Sequence, residues 1–331
     1  MSLTRHYNLR RALLLGFSAV VLPSVTVGLL IPVFALGPAR DRRGQQVESI
    51  APANSRVVVS ACTLSGSFTV HGWNRNEVRV RISSGVEIEL TRIDQTKSEQ
   101  ATELKVTSKG RRSTAGNSCL MFGDMEMDVP RGANVKLQTT SGDISVTEVA
   151  RANVTTTSGT ITLAKMQEDT SAVVIGGDIS LRESKGSFKL HSTGGSIDAR
   201  DLAPVAASDS LTASTVSGEV TLSHVQHQRV SVNSVSGEVT YSGALLRNGS
   251  YSFQNLSGEV RLQLPASASF RLLADVGGSV KISSDFDLKY TQNQNVIRPG
   301  HRSGQVEATV GSGEASIHVS LLTGSLQISK R

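Results

Sequence analysis

The sequence predicts an all-β fold made of serial strand repeats. Three observations carry this. The 331-residue chain holds 46 Ser, 26 Thr and 30 Gly with only 4% aromatics, and such a composition suits short strands joined by tight turns. After Gly44 the apolar residues alternate with polar ones instead of recurring at helical spacing. One motif returns along most of the chain: an alternating strand, a Ser-Gly or Gly-Gly step, then a second short strand. Val, Ile and Leu recur throughout, which argues against disorder.

Residues 1–39 read as a membrane-targeting segment. No side chain from Ala12 to Ala39 is charged, and the run follows Arg5, Arg10 and Arg11. About 20 apolar residues cross a bilayer as a helix, and the run exceeds the ~7–15-residue core of a signal peptide. Against this, Pro23 and Pro32 would kink a helix, and Val33-Phe34-Ala35 and Gly37-Pro38-Ala39 offer small residues for cleavage. A retained transmembrane helix and a cleaved signal both stand. Either makes the membrane a partner through this segment and an extracytoplasmic site, membrane-anchored or secreted, the destination. Residues 40–55 read as a linker and 56–331 as the repeat domain. The net charge of +6 belongs mostly to the first 43 residues, which carry six Arg and one acid, Asp41. The balanced remainder lacks the basic face a nucleic-acid binder needs. Lys109, Arg111 and Arg112 read as a solvated loop.

Cys62 and Cys119 are the only cysteines, and each sits in a strand-like context. An even count in an oxidising compartment suggests one bridge. It would span 57 positions and contribute roughly 4 kcal/mol in the chain-entropy model. Two buried free thiols are the alternative. No CxxC supports a zinc or redox site.

The repeats appear as VKLQTTSGDISV from Val135, NVTTTSGTITL from Asn153, AVVIGGDISL from Ala172 and FKLHSTGGSIDA from Phe188. They continue as LTASTVSGEVTL from Leu211, VSVNSVSGEVTY from Val230 and YSFQNLSGEVRL from Tyr251. CTLSGSFTV from Cys62 is an earlier copy, and looser ones start at Phe270, Val306 and Val319. Gly142, Gly159, Gly177, Gly195, Gly218, Gly237, Gly258 and Gly278 mark the steps, and an insertion at 283–305 interrupts the series. Val135, Leu137, Ile144 and Val146 show the physical logic: apolar parity flips across the step, so the chain must turn there to keep one core. Gly supplies the backbone freedom for that turn. A two-residue hairpin meander and a solenoid corner both satisfy the pattern. The period of the repeats favours the stacked solenoid.

CTLSGSFTVHGWNRNEVRVRI (Cys62–Ile82) and EMDVPRGANVKLQTTSGDISV (Glu126–Val146) carry a resemblance to a known group. A G-W-x-x-x-x-V step, a V-P-x-G-A step and serial S-G-D-I and S-G-E-V rungs together resemble the bacterial adhesin-like domains called domain of unknown function 4097. The resemblance covers about residues 56–328. It implies a right-handed parallel β-helix-like repeat fold in an extracytoplasmic or membrane-anchored setting, and no established activity. The insertion before Val306 and the Gly-Gly rungs at Ala172 and Phe188 depart from the pattern.

Candidate chemistry is sparse. Acids follow the step glycine at Asp143, Asp178, Glu219, Glu238, Glu259 and Glu314. Stacked Glu219, Glu238 and Glu259 could form an oxygen-ligand column for calcium, but the glycine-rich Asp nonapeptides of calcium-binding β-rolls are absent, and solvated corner residues are the preferred reading. His224 and His227 lie three apart, on opposite faces of a strand. No nucleophile elbow, P-loop or HExxH occurs. We therefore expect no catalytic, cofactor or metal residues. The expected function is a non-catalytic envelope module that binds a protein or glycan partner or serves a structural role. A membrane-anchored accessory of envelope-stress signalling is the alternative, and a carbohydrate-active β-helix enzyme is a more distant one.

Overall fold

The computed structural model describes residues 47–83, 86–94, 98–109, 119, 121–290 and 303–331. The expected signal or transmembrane helix (1–39) lies outside these residues, as do Arg111 and Arg112. Among the described residues no helix is long and apolar enough to cross a membrane, and all regular structure is strand.

The first strands are β1 (Val47–Ser65), β2 (Phe68–Trp73), β3 (Glu77–Ile82), β4 (Ile88–Arg92), β5 (Ala101–Ser108), β6 (Met121–Phe122) and β7 (Met125–Pro130). Long and short strands then alternate: β8 (Asn134–Ser141), β9 (Ile144–Thr147), β10 (Arg151–Ser158), β11 (Ile161–Ala164), β12 (Thr170–Gly176) and β13 (Ile179–Lys185). β14 (Phe188–Gly194), β15 (Ile197–Ala203), β16 (Ser210–Ser217) and β17 (Val220–Val225) continue the series, and β18 (Arg229–Ser242) and β19 (Ser250–Leu264) run through their corners unbroken. The last are β20 (Phe270–Gly277), β21 (Lys281–Ser284), β22 (Lys289–Tyr290), β23 (Ser303–Val310) and β24 (Ala315–Lys330).

Successive coils stack in parallel, which makes the fold a solenoid and not a meander. β8, β10, β12, β14, β16, β18 and β19 form one ladder. β9, β11, β13, β15, β17 and the second halves of β18 and β19 form the other. The alternating apolar residues of both ladders fill the space between them: Val135, Leu137, Ile144 and Val146 are all buried, as are their equivalents through Leu262. Small β-branched side chains suit so thin a core.

The Ser-Gly step is the corner, and two columns of residues hold it. The corner glycines lie one upon another in the order Gly123, Gly66, Gly142, Gly159, Gly177, Gly195, Gly218, Gly237, Gly258, Gly324; a Cβ on any but the first would strike the carbonyl of its predecessor. Gly142 and Gly237 also hold φ of 145° and 135°, where L side chains are strained. Three residues before the glycine most coils carry a buried polar side chain; Val174 and Leu321 are apolar exceptions. Thr139, Thr156, Ser192 and Thr215 donate to the carbonyls of Gly66, Gly142, Gly177 and Gly195 at 3.0–3.3 Å. Asn255 does the same for Gly237 at 2.9 Å. The T-x-S-G signature thus satisfies a buried acceptor that the corner would otherwise orphan.

Several expectations need correction. β1 begins at Val47, inside the stretch read as a linker, because Val47–Pro52 pairs with β3. The sheet is mixed: antiparallel β3 lies against β1 and β7, β4 against β5, and β23 against β20. Gly278 lies in the turn between β20 and β21, which pair with the two halves of β24, but it is not one of the stacked column glycines. β24 inserts between β19 and β20, so the rung after Gly258 is Gly324, and the chain near Gly278 belongs to the coil beyond. Gly195 belongs to the column, but its φ is not in the left-handed range. The insertion at 283–305 contributes part of β21, all of β22 and the start of β23; residues 291–302 lie outside the described set. The N-terminal end mirrors the C-terminal one: β1 is paired by β8 on one side and by β5 and β6 on the other.

Candidate functional site

The two ladders present different outer faces. On the β9–β17 side charged residues are common: Arg182, Asp198, Arg200 and Arg261 point outward and pair locally. On the other side the outward rows are nearly free of charge. Strand β16 offers Thr212, Ser214 and Val216, and β18 offers Ser231, Asn233 and Val235. β19 offers Ser252, Gln254 and Leu256, and β24 offers His318, Ser320 and Leu322. Lys136 on β8, Arg151 on β10 and Lys189 on β14 interrupt it further along, and Arg229 and Arg271 stand at the starts of β18 and β20.

One edge of this face is apolar and exposed. From Gly66 onward, the side chain two residues before the corner glycine is outward, because its neighbour three residues before the glycine occupies the inward position. Leu64, Ile175, Val216, Val235, Leu256 and Leu322 stand in that row and are 37–55% exposed, with Thr140, Thr157 and Thr193 at its other positions before Val216. Val216, Val235, Leu256 and Leu322 stand on four consecutive stacked coils, about 4.8 Å apart. Isolated exposed apolar residues are ordinary on a protein surface; a contiguous row is less so. Sequence reasoning missed this row. Its signal was present: V-S-G and L-S-G put an apolar residue out of phase with the alternation.

The residues singled out in advance are structural. Cys62 on β1 and Cys119 are joined, with Cα atoms 5.1 Å apart. The corner acids engage their neighbours. Asp143 and Asp178 accept the amide hydrogens of Thr160 and Ser196 in the next coil, each at 2.7 Å. Glu238 and Glu259 share Arg261, and Glu219 accepts from Thr221 at 2.6 Å. Among the described residues no group of His, Cys, Asp and Glu is placed to hold a metal. Glu314 pairs with Arg247 at 2.8 Å, away from that column. His224 is exposed beside Asp201, whereas His227 is buried, its Nε2 2.7 Å from the Gly186 carbonyl. Burial pushes the His227 pKa below the usual imidazole value, opposed by the Gly186 carbonyl and Asp209.

At the far end of the uncharged face, Asp275 on β20 receives hydrogen bonds from His318 Nε2 and Gln305 Nε2, each at 2.9 Å. The His318 hydrogen bond holds the carboxyl below its usual pKa, against the opposing effect of burial.

The family model for Toastrack DUF4097 matches residues 65–329. The chain belongs to this family. No curated protein matches it. Among solved structures, a "putative adhesin" from Bacteroides fragilis aligns at 11% identity and a TM-score of 0.39, covering 87% of this chain and 97% of that one. A "putative lipid binding protein" from Parabacteroides distasonis aligns at 12% identity and 0.35, over 86% and 98%. A "putative cell adhesion protein" from Clostridium sporogenes aligns at 13% and 0.27, over 87% and 100%.

Proposed function

We propose that this chain is a non-catalytic, adhesin-like module of the bacterial cell envelope that docks a protein or glycan partner on the uncharged face of its solenoid. The contiguous row Val216, Val235, Leu256 and Leu322 carries the reading: exposed apolar side chains flanked by Ser, Asn and Gln suit a neutral partner, and no Asp, Glu, Lys or Arg stands among the outward residues beside that row. The Cys62–Cys119 bridge supports an oxidising, extracytoplasmic compartment, and residues 1–39 supply the membrane anchor or export signal. Parallel crossovers favour a right-handed coil. The corner acids are engaged by backbone amides, hydroxyls or arginines, which supports a structural role for them over a catalytic one.

Site-specific photo-crosslinking tests this. A crosslinker at Val235 or Leu256 of the full chain in its native membrane should capture one discrete partner, and Leu256→Lys should weaken capture from position 235. A crosslinker at Ser180 or Gln263, on the opposite ladder, should not capture it. Equal capture from both faces, or none from 235 and 256, refutes the assignment.

A further inference from the structure

The apolar row ends at Leu322, and the ground beyond it is built differently. β20, the next strand in the stack, carries Gly277, where a Cβ would strike the Leu322 carbonyl. On the antiparallel neighbour β23, Gly304 stands opposite Val276. These glycines border an open groove of about 490 Å³, whose other walls include Asp275, Gln305, Ser320 and Leu322. That volume is within the range of small-molecule sites.

The polar groups around it form a connected set. Asp275 accepts from Gln305 Nε2 and His318 Nε2. A carboxylate has about four lone-pair positions, so two remain for a ligand. Gln305, bound through its amide nitrogen, keeps its carbonyl oxygen as an acceptor. Ser320 pairs with Asp275 in register and adds a hydroxyl that donates or accepts. The groove is therefore rich in acceptors, carries a carboxylate that repels anions, and has the exposed Leu322 side chain on its rim. A ligand matching it brings several hydroxyl donors, no negative charge and a C–H surface.

We propose that this groove binds a neutral saccharide, with adjacent hydroxyls of one ring donating to Asp275 and Gln305 while its C–H face lies on Leu322. The inference rests on reading the uncharged face as a binding surface and specifies the ligand class at its β20 end. The test uses the full chain in a detergent without sugar head groups. Saturation-transfer NMR with maltose, cellobiose, lactose and N,N′-diacetylchitobiose should detect at least one ligand with Kd of about 1 mM or tighter. Asp275→Asn and Gln305→Ala should each weaken that binding about tenfold, the loss of one hydrogen bond to a polar ligand, with unchanged melting curves. Gln263→Ala, on the opposite ladder, should leave it unaltered. Absence of binding by all four sugars, binding that both groove variants retain, or a response to n-butylamine in place of the sugars overturns the proposal. Crosslinking from positions 235 and 256 is read independently, so the groove can fail while the face stands.

Discussion

Replacing Gly237 by Ala places one methyl group where the corner column has no room for it. The native φ is 135°, and the new Cβ would run into the carbonyl of Gly218 in the coil below. Forcing a non-glycine residue into such a backbone region costs about 1–3 kcal/mol. Relieving the overlap requires a shift of main chain, for which overpacking costs of about 1–3 kcal/mol are typical. Together these give about 2–6 kcal/mol. At about 2–4 °C per kcal/mol for a large domain, the melting temperature should fall by at least about 4 °C. Gly313→Ala is the matched control. Its φ of 71° is also left-handed, but the nearest atom to its Cβ is a side-chain methyl of Thr309, so about 1 kcal/mol is expected. Thermal unfolding followed by circular dichroism measures both. If Gly237→Ala melts with the wild type, or no lower than Gly313→Ala, the stacked-carbonyl account of the column is wrong.

Removing the bridge with Cys62→Ser should cost about 4 kcal/mol, read as a lower denaturant midpoint relative to the oxidised wild type. Glu238→Gln should change stability by less than about 1 kcal/mol, because the pair with Arg261 is partly solvated; added calcium should not shift the melting curve of either protein, and a clear shift would restore the metal-column reading. His227 has a depressed pKa in the folded state, so the unfolded chain takes up its proton first. Stability is then complete above the unfolded value of about 6.5 and falls as pH drops toward the folded value, by at most about 1.4 kcal/mol per pH unit. His227→Phe should flatten that slope, and an unchanged slope would assign it to other groups.

Much of this architecture was legible in the sequence, because alternation and parity are local. Val135, Leu137, Ile144 and Val146 go inside as the pattern requires, and the step glycines from Gly142 to Gly258 stack as one column. The failures have a common physical origin in non-local pairing. Gly278 resembles a rung, yet period alone cannot reveal that β24 passes inside β20. The second corner was equally hidden. Glu148, Lys165, Glu183, Asp201 and His224 all hold φ of 49–60°, but Glu and Lys carry no signature of a left-handed conformation as Gly and Asn do. The exposed apolar row could have been found by asking which outward positions are apolar. The Asp275 groove could not, since it joins residues from β20, β23 and β24.

The burial of both terminal strands has a mechanical side. A solenoid whose first and last strands lay at the ends could be unravelled like a spool, one ladder of hydrogen bonds at a time. Here β1 is flanked by β8 and by β5 and β6, and β24 by β19 and by β20 and β21. Tension between the chain ends would load each terminal strand in shear against two neighbours at once. The outermost coils, held by antiparallel β3, β4 and β23, stay off the line of force. Force applied to β1 and β24 would thus pass through the best-anchored strands of the fold.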